Sequence, residues 1–201
     1  MLDRQPVLEG ERVRLRPLRD DDWEALFAVA SDPLIWAQHP AHDRWREPVF
    51  RAFFDDALAN GGALVAIDQA SGSVIGSSRF QGLSAADGGS VEIGWTFLAR
   101  AFWGGRHNHE MKCLMLAHAL ASVAECRFLV GEGNTRSRRA LERIGARLTA
   151  LTEERVMADG MVILHSAYII TRSDFAQGPL AAMLARFSGK SVSRAERRRD
   201  E

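Results

Sequence analysis

The chain has 201 residues, enough for one globular domain with a short tail, and by surface scaling it should bury about 70% of what its unfolded form exposes. Its 26 Lys and Arg balance its 26 Asp and Glu, which excludes a whole-molecule field drawing it to nucleic acid or to an anionic membrane. Two cysteines, Cys113 and Cys126, make no disulfide framework, "MLDRQPVLEGERVRLRPLR" is too charged for a secretory leader, and "LMLAHALASVA" falls well short of the ~20 apolar residues of a bilayer span. A soluble, cytoplasmic protein is expected.

In chain order, "RVRLRPL" alternates Arg12, Arg14 and Arg16 with Val13, Leu15 and Pro17, the period of a half-buried strand. "RDDDWEALFAVASDP" supplies an acidic first turn and then Trp23, Leu26, Phe27 and Ala30 at helical spacing, with Pro33 closing the helix. A second helix follows in "REPVFRAFFDDALANGG", with Phe50, Phe53, Phe54, Ala57 and Leu58 on one face and Gly61 and Gly62 as its stop. "ALVAID" and "SVIGSSRF" read as a hairpin about "QASG". "SVEIGWTFL" reads as the next strand, with Val91, Ile93, Trp95 and Phe97 on one face and Glu92, Gly94 and Thr96 on the other. A helix is expected from about Asn108 to Ala124, its apolar stripe made by Met111, Leu114, Met115, Leu116, Ala119 and Leu120. "CRFLVGEG" is a short buried strand, and "NTRSRRALERIGA" a short basic helix capped by Asn134 and stopped at Gly145. "RLTALTEERVMADG" and "MVILHSAYIIT" form a long antiparallel pair about "ADG".

This order predicts an α/β fold: a mixed sheet with helices on its faces, since the strand-helix-strand crossover through residues 90–133 demands a parallel pair. No internal repeat is present. "FAQGPLAAMLARF" predicts a terminal helix within 173–188, and residues 189–201 are polar and charged enough to be disordered.

The chemistry-bearing stretch is "AFWGGRHNHEMKCLML", residues 101–116. A glycine-rich turn feeding a helix N-terminus exposes unpaired N–H groups in a positive dipole field, a natural seat for phosphate. A tight strand-to-helix turn is the plainer reading of the same residues. His107, His109 and Cys113 raise a metal site, but no third and fourth ligand accompany His109 and Cys113 on their helix face. The basic runs "RSRRALER" and "RAERRR" carry glutamates and lack interleaved aromatics, so they predict solvated surface and not a nucleic-acid groove.

Taken together, the strand, the loop and helix after it, and "NTRSRRALERIGA" resemble the GNAT superfamily of coenzyme A dependent N-acetyltransferases over residues 8–172. Within that superfamily the two motifs look most like the branch of the ribosomal-protein N-terminal (alanine) acetyltransferases. The resemblance implies a mostly antiparallel sheet whose central parallel pair splays to hold acetyl-CoA, no metal, and transfer of the acetyl group to a primary amine, either a small molecule or a protein N-terminus. It leaves room for a homodimer. A non-catalytic acyl-CoA-binding module is the alternative it permits.

The family's loop reads Gln or Arg, two residues, Gly, one residue, then Gly or Ala. With Glu92 at the family's strand glutamate, those positions fall on Trp103, Arg106 and Asn108, and both expected glycines are absent. Gly104 and Gly105 stand between them, so the amides of Gly104, Gly105, Arg106, Asn108 and His109 are expected to converge on the pyrophosphate, with the Arg106 side chain adding a charge-assisted bond. By the same resemblance Phe97 and Leu98 bond the pantetheine arm through their backbone, Asn134 caps its helix and touches pantetheine, Glu92 is the base that deprotonates the amine, and Ser137 is the matched donor to the departing thiolate. Many members carry a tyrosine seven residues after the asparagine, where this chain has Leu141; Tyr168, its only tyrosine, matches no catalytic position. The acceptor would lie near "IWAQHPAHDRW", whose Trp36, His39, His42, Asp43 and Trp45 equally suit a packed connector.

Overall fold

The computed structural model describes residues 1–157, 160–183 and 185. Eight strands form one sheet: β1 (Leu8–Glu9), β2 (Val13–Pro17), β3 (Ala63–Asp68), β4 (Val74–Ser84), β5 (Ser90–Leu98), β6 (Glu125–Gly131), β7 (Arg147–Val156) and β8 (Val162–Thr171), in the order β1-β2-β3-β4-β5-β6-β8-β7. All neighbours are antiparallel except β5 and β6. The helices are α1 (Trp23–Ala30), α2 (Pro33–Trp36), α3 (Glu47–Asn60), α4 (Arg106–Leu120), α5 (Thr135–Arg143) and α6 (Arg172–Gln177).

Helices cover both faces because the central strands are apolar on both. On β3, Leu64 and Ala66 join the core beneath α4, which Met111, Met115, Leu116 and Ala119 complete. Ala63 and Val65 join the opposite core with Trp23, Leu26, Phe50 and Phe54 of α1 and α3. Helix α4 begins two residues earlier than the sequence pattern suggests and ends at Leu120. Its buried face is also less apolar than that pattern, since Glu110 and Lys112 are buried with it. Glu110 is satisfied by the backbone N–H groups of Arg12 and Val13, at 2.6 and 3.1 Å, and so ties α4 to the start of β2.

Two elements escaped the sequence pattern because they are too short to show a period: β1, and α2 inside the connector, where Asp32 caps the turn by accepting from the Leu34 N–H. A third difference concerns side-chain direction. Trp95 has φ 51°, and residues Trp95 and Thr96 oppose the single Ser78, since Ser77 pairs with Phe97 and Arg79 with Gly94. This bulge breaks the alternation expected along β5. Val91 and Ile93 face the α4 core, Phe97 instead packs with Trp36 and Phe50 on the other side, and the Thr96 hydroxyl meets Lys112 of α4.

Of the terminal helix expected within 173–188, α6 carries the first part and Gly178 ends it; the later residues from 186 and the tail 189–201 lie outside the described residues, as do Ala158 and Asp159 of the expected "ADG" turn. Among the described residues no helix is long and apolar enough to cross a membrane.

Candidate active site

Strands β5 and β6 pair in parallel at only three positions, Ser90 with Glu125, Val91 with Cys126 and Glu92 with Arg127. Beyond Glu92 they part, and β6 stays with β8 along its whole length. The gap is a cleft of about 240 Å³, walled by β5 from Ile93 to Leu98, by β6 from Phe128 to Gly131, by α5, and by α2 with the connector after it. Its lining holds Lys112, Arg136, Arg143, His39, His109 and His165 and not one carboxylate. Such a wall suits an anionic ligand.

The N-terminus of α4 opens onto this cleft. Gly104 has φ 67°, in the left-handed region, with nothing within 4 Å of where a Cβ would stand, and Gly105 is the N-cap with no side-chain cap bond. The N–H groups of Gly105, Arg106, His107 and Asn108 therefore have no partner within the helix, and no acidic side chain lies among them. Gly104, Gly105, Asn108 and His109 line the cleft; Arg106 is exposed and does not. His107 donates from Nε2 to Asp68 Oδ1 at 3.1 Å, fastening the helix start to the last residue of β3. Among the described residues no group of three or more His, Cys, Asp or Glu could hold a metal ion. Cys113 is buried, its thiol pushed up to about 12 by burial.

The opposite wall starts at Asn134, whose Oδ1 accepts from the Ser137 N–H at 3.1 Å and caps α5. Ser137 and Leu141 both line the cleft from α5. Phe97 and Leu98 line it from β5, and the Leu98 carbonyl already accepts from Trp103 Nε1 at 2.8 Å, which folds the loop over the strand end. Arg136 stacks with its Cζ 3.9 Å from the Trp103 ring centroid and donates to the Ile35 carbonyl at 2.8 Å, so loop, α5 and α2 meet at the cleft mouth. Tyr168 is fully buried and bonded to Arg138 and Glu142, a core residue outside the cleft wall.

Glu92 does not line the cleft. It is buried on β5, where Arg155 Nη2 of β7 donates to its Oε2 at 3.0 Å. Burial raises its carboxyl above the usual range, and Arg155 opposes that rise. On this side of the sheet the rings and guanidinium groups alternate: Arg44 over Phe53, Phe53 by Arg79, Arg79 by Trp95, Trp95 by Arg155. Burial lowers Arg44 to about 10, with Arg79 adding to the effect. His39 and His165 are both held neutral-leaning by burial, His39 at about 3, and its Nδ1 accepts from the Ala41 N–H at 2.9 Å. Of the connector residues proposed from sequence, Trp36 and His39 reach the cleft, while His42, Asp43 and Trp45 do not.

Sequence pattern alone passed over Lys112, which stands outside the apolar stripe read along its helix, and the aromatic and cationic ladder, whose members come from four separate elements and the connector after α2. One signal for Lys112 was in view: apart from Lys190 it is the only lysine in a chain that otherwise uses arginine for its positive charge.

A parallel pair that opens into a cleft, with an uncapped helix N-terminus aimed at it, has the form of a seat for a phosphate-bearing ligand. Residues 12–147 match the family described as Acetyltransferase (GNAT) domain, and the chain belongs to that family of acetyltransferases. Solved structures share the fold. A GCN5-related N-acetyltransferase from Brucella melitensis superposes with a TM-score of 0.70 at 23% identity, covering 85% of this chain and 80% of that one. RimJ from Mycobacterium smegmatis, in complex with CoA-disulfide, gives 0.71 at 20% identity over 92% and 97% of the two chains. A spermidine N-acetyltransferase from Vibrio cholerae, in complex with CoA and spermine, gives 0.61 at 13% identity over 84% and 100%. No curated protein sequence matches this chain.

Proposed function

We propose that this protein transfers an acetyl group from acetyl-CoA to a primary amine, either a small molecule or a protein N-terminus, by direct attack of the amine on the thioester. The single observation that carries the reading is the carboxylate-free cleft between the diverging β5 and β6, with the free N–H groups of α4 at its mouth. Gly104, Gly105, Asn108 and His109 would hold the pyrophosphate, with Arg106 contributing its backbone N–H and, from outside the lining, its charge. Phe97, Leu98 and Asn134 would bond the pantetheine arm, Leu98 through its N–H, since its carbonyl is already occupied. Two of the fold neighbours carry CoA, which agrees with this cofactor.

Glu92 is the base in this reading, and acts through water because its side chain does not line the cleft; a positioned base is typically worth about 10² to 10⁴ in rate. Ser137 donates a hydrogen bond to the sulfur from the α5 wall. The ribosomal-protein branch is the favoured relative among acceptors, and the protein is assigned to the cytoplasm. The test pairs a thermal-shift titration with acetyl-CoA and a screen for thiol release against a panel of amines and N-terminal peptides. Stabilisation with acceptor-dependent thiol release, lost in Glu92→Gln, supports the enzyme. Stabilisation with no turnover on any acceptor would leave a binding module, and no stabilisation would sink both.

A further inference from the structure

Lys112 is 5% exposed and lines the cleft, with Thr96 of β5 and Phe128 of β6 beside it on the two strands that part beyond Glu92 and Arg127. Its Nζ donates to Thr96 Oγ1 at 2.7 Å and to Ser78 Oγ at 3.5 Å, and stands 5.5 Å from the Phe128 ring centroid. Among the described residues no carboxylate pairs with it. An ammonium has three protons to donate and a full charge to balance, and two hydroxyl groups balance none of that charge. The group is therefore either neutral or waiting for an anion that enters the cleft. The surrounding ionisable groups are Cys126 on β6, His109 on its own helix, Arg136 and Arg143 on α5, and His39 and His165 at the mouth; none supplies a negative charge, the Cys126 thiol being pushed up to about 12 by burial.

We propose that Lys112 is the acid that protonates the departing CoA thiolate, a reading that rests on the acetyl-CoA assignment above. As the C–S bond of the tetrahedral intermediate breaks, its electron pair passes to sulfur and a proton moves from Lys112 Nζ to that sulfur. CoA leaves as the thiol and Lys112 remains as a neutral amine. The surplus proton on the acylated nitrogen goes to Glu92 or water, and solvent restores the ammonium. Ser137 cannot take this part alone: it can hydrogen-bond the sulfur, but giving up its proton would leave an alkoxide more basic than the thiolate. Burial sets Lys112 at about 7, below the ~8.5 of an alkyl thiol such as cysteine, so the transfer runs downhill. The position of Leu141, where many relatives have a tyrosine, is then filled in function from the other wall. An arginine at 112 would hold its proton too tightly to serve, which gives this lysine a reason in an arginine-rich chain.

The test needs no acceptor. In Lys190→Arg protein labelled with [ε-¹³C]lysine, Lys112 is the only lysine signal, and its titration is followed by NMR with CoA and with desulfo-CoA, which lacks the thiol. In the CoA complex Lys112 should give up its proton at least about one pH unit below the bound thiol, whose thiolate is followed by ultraviolet absorbance against the desulfo-CoA complex, a tenfold difference in proton affinity in the direction the transfer requires. A thiolate that forms while Lys112 is still an ammonium, with both ligands bound, would overturn the proposal and leave the cofactor reading intact. If neither ligand binds, shown by unchanged spectra and melting temperature, the acetyl-CoA reading falls and this one with it.

Discussion

Arg155 of β7 reaches across to β5 and donates from Nη2 to Glu92 Oε2 at 3.0 Å, an ion pair that joins the far edge of the sheet to the strand carrying the proposed base. Burial pushes the Glu92 carboxyl up and Arg155 pulls it back. Because a base must be deprotonated to act, turnover should rise with pH through the Glu92 titration. Arg155→Met removes the opposing charge, so the acidic limb of the kcat profile should move to higher pH while CoA affinity stays within about threefold. Glu92→Gln should lower kcat by about 10² to 10⁴ above that limb and by less below it, where the wild-type carboxyl is itself protonated. An unmoved limb in Arg155→Met would remove Glu92 from the role of base.

Lys112 also leaves a mark on stability. Its folded-state value, about 7, lies below the 10.5 of an unburied lysine, so between those limits the unfolded chain binds more protons than the folded one. Stability contributed at this site therefore rises as pH rises through that window. The melting temperature of the wild type should climb relative to Lys112→Met from pH 7 to pH 10, and the methionine variant should be the more stable of the two at pH 7, having no charge to bury. Parallel melting curves across that range would mean that Lys112 is solvated in solution.

At Gly104 the left-handed φ, and not crowding, is what favours glycine. Gly104→Ala should lose about 1 to 2 kcal/mol of folding free energy or shift the loop to escape the strain. CoA affinity, read by calorimetry, should fall in either case, since the amides would no longer converge. Asparagine tolerates this backbone conformation better than alanine, so Gly104→Asn should recover much of the loss. Equal affinity in Gly104→Ala and wild type would place the pyrophosphate elsewhere.

Asn134 is buried and its side chain satisfies the Ser137 N–H. Asn134→Ala should cost about 0.5 to 2 kcal/mol in urea denaturation, and Asn134→Ser less, because serine can accept the same bond. If Asn134 also touches pantetheine, the alanine variant should weaken CoA more than it weakens a CoA fragment lacking that arm.

Much of this molecule was legible from periodicity and punctuation. The alternation in β2, the phenylalanine stripe of α3 ended by Gly61 and Gly62, the Asn134 cap and the crossover through α4 all follow from rules that act within a dozen residues, and each stands in the structure where the pattern puts it. The strand-loop-helix order was enough to point to the GNAT family, which the family match over residues 12–147 bears out. The faces of β5 were misread for a physical reason. The bulge here places one residue in left-handed backbone, and a tryptophan is the last residue type from which such a conformation would be guessed; Trp95 stands there with Arg79 and Arg155 against its ring.

What the sequence by itself determined, then, was the set of elements, their order and the family they compose, because hydrophobic spacing, caps and turns are local properties of the chain. Only the tertiary structure decided which charges are buried and beside what. Glu92 meets an arginine 63 residues away, and Lys112 meets hydroxyls from two strands and, among the described residues, no acid. Desolvation and electrostatic pairing depend on distance through space, and that distance exists only once the sheet has formed and α4 has been laid across it.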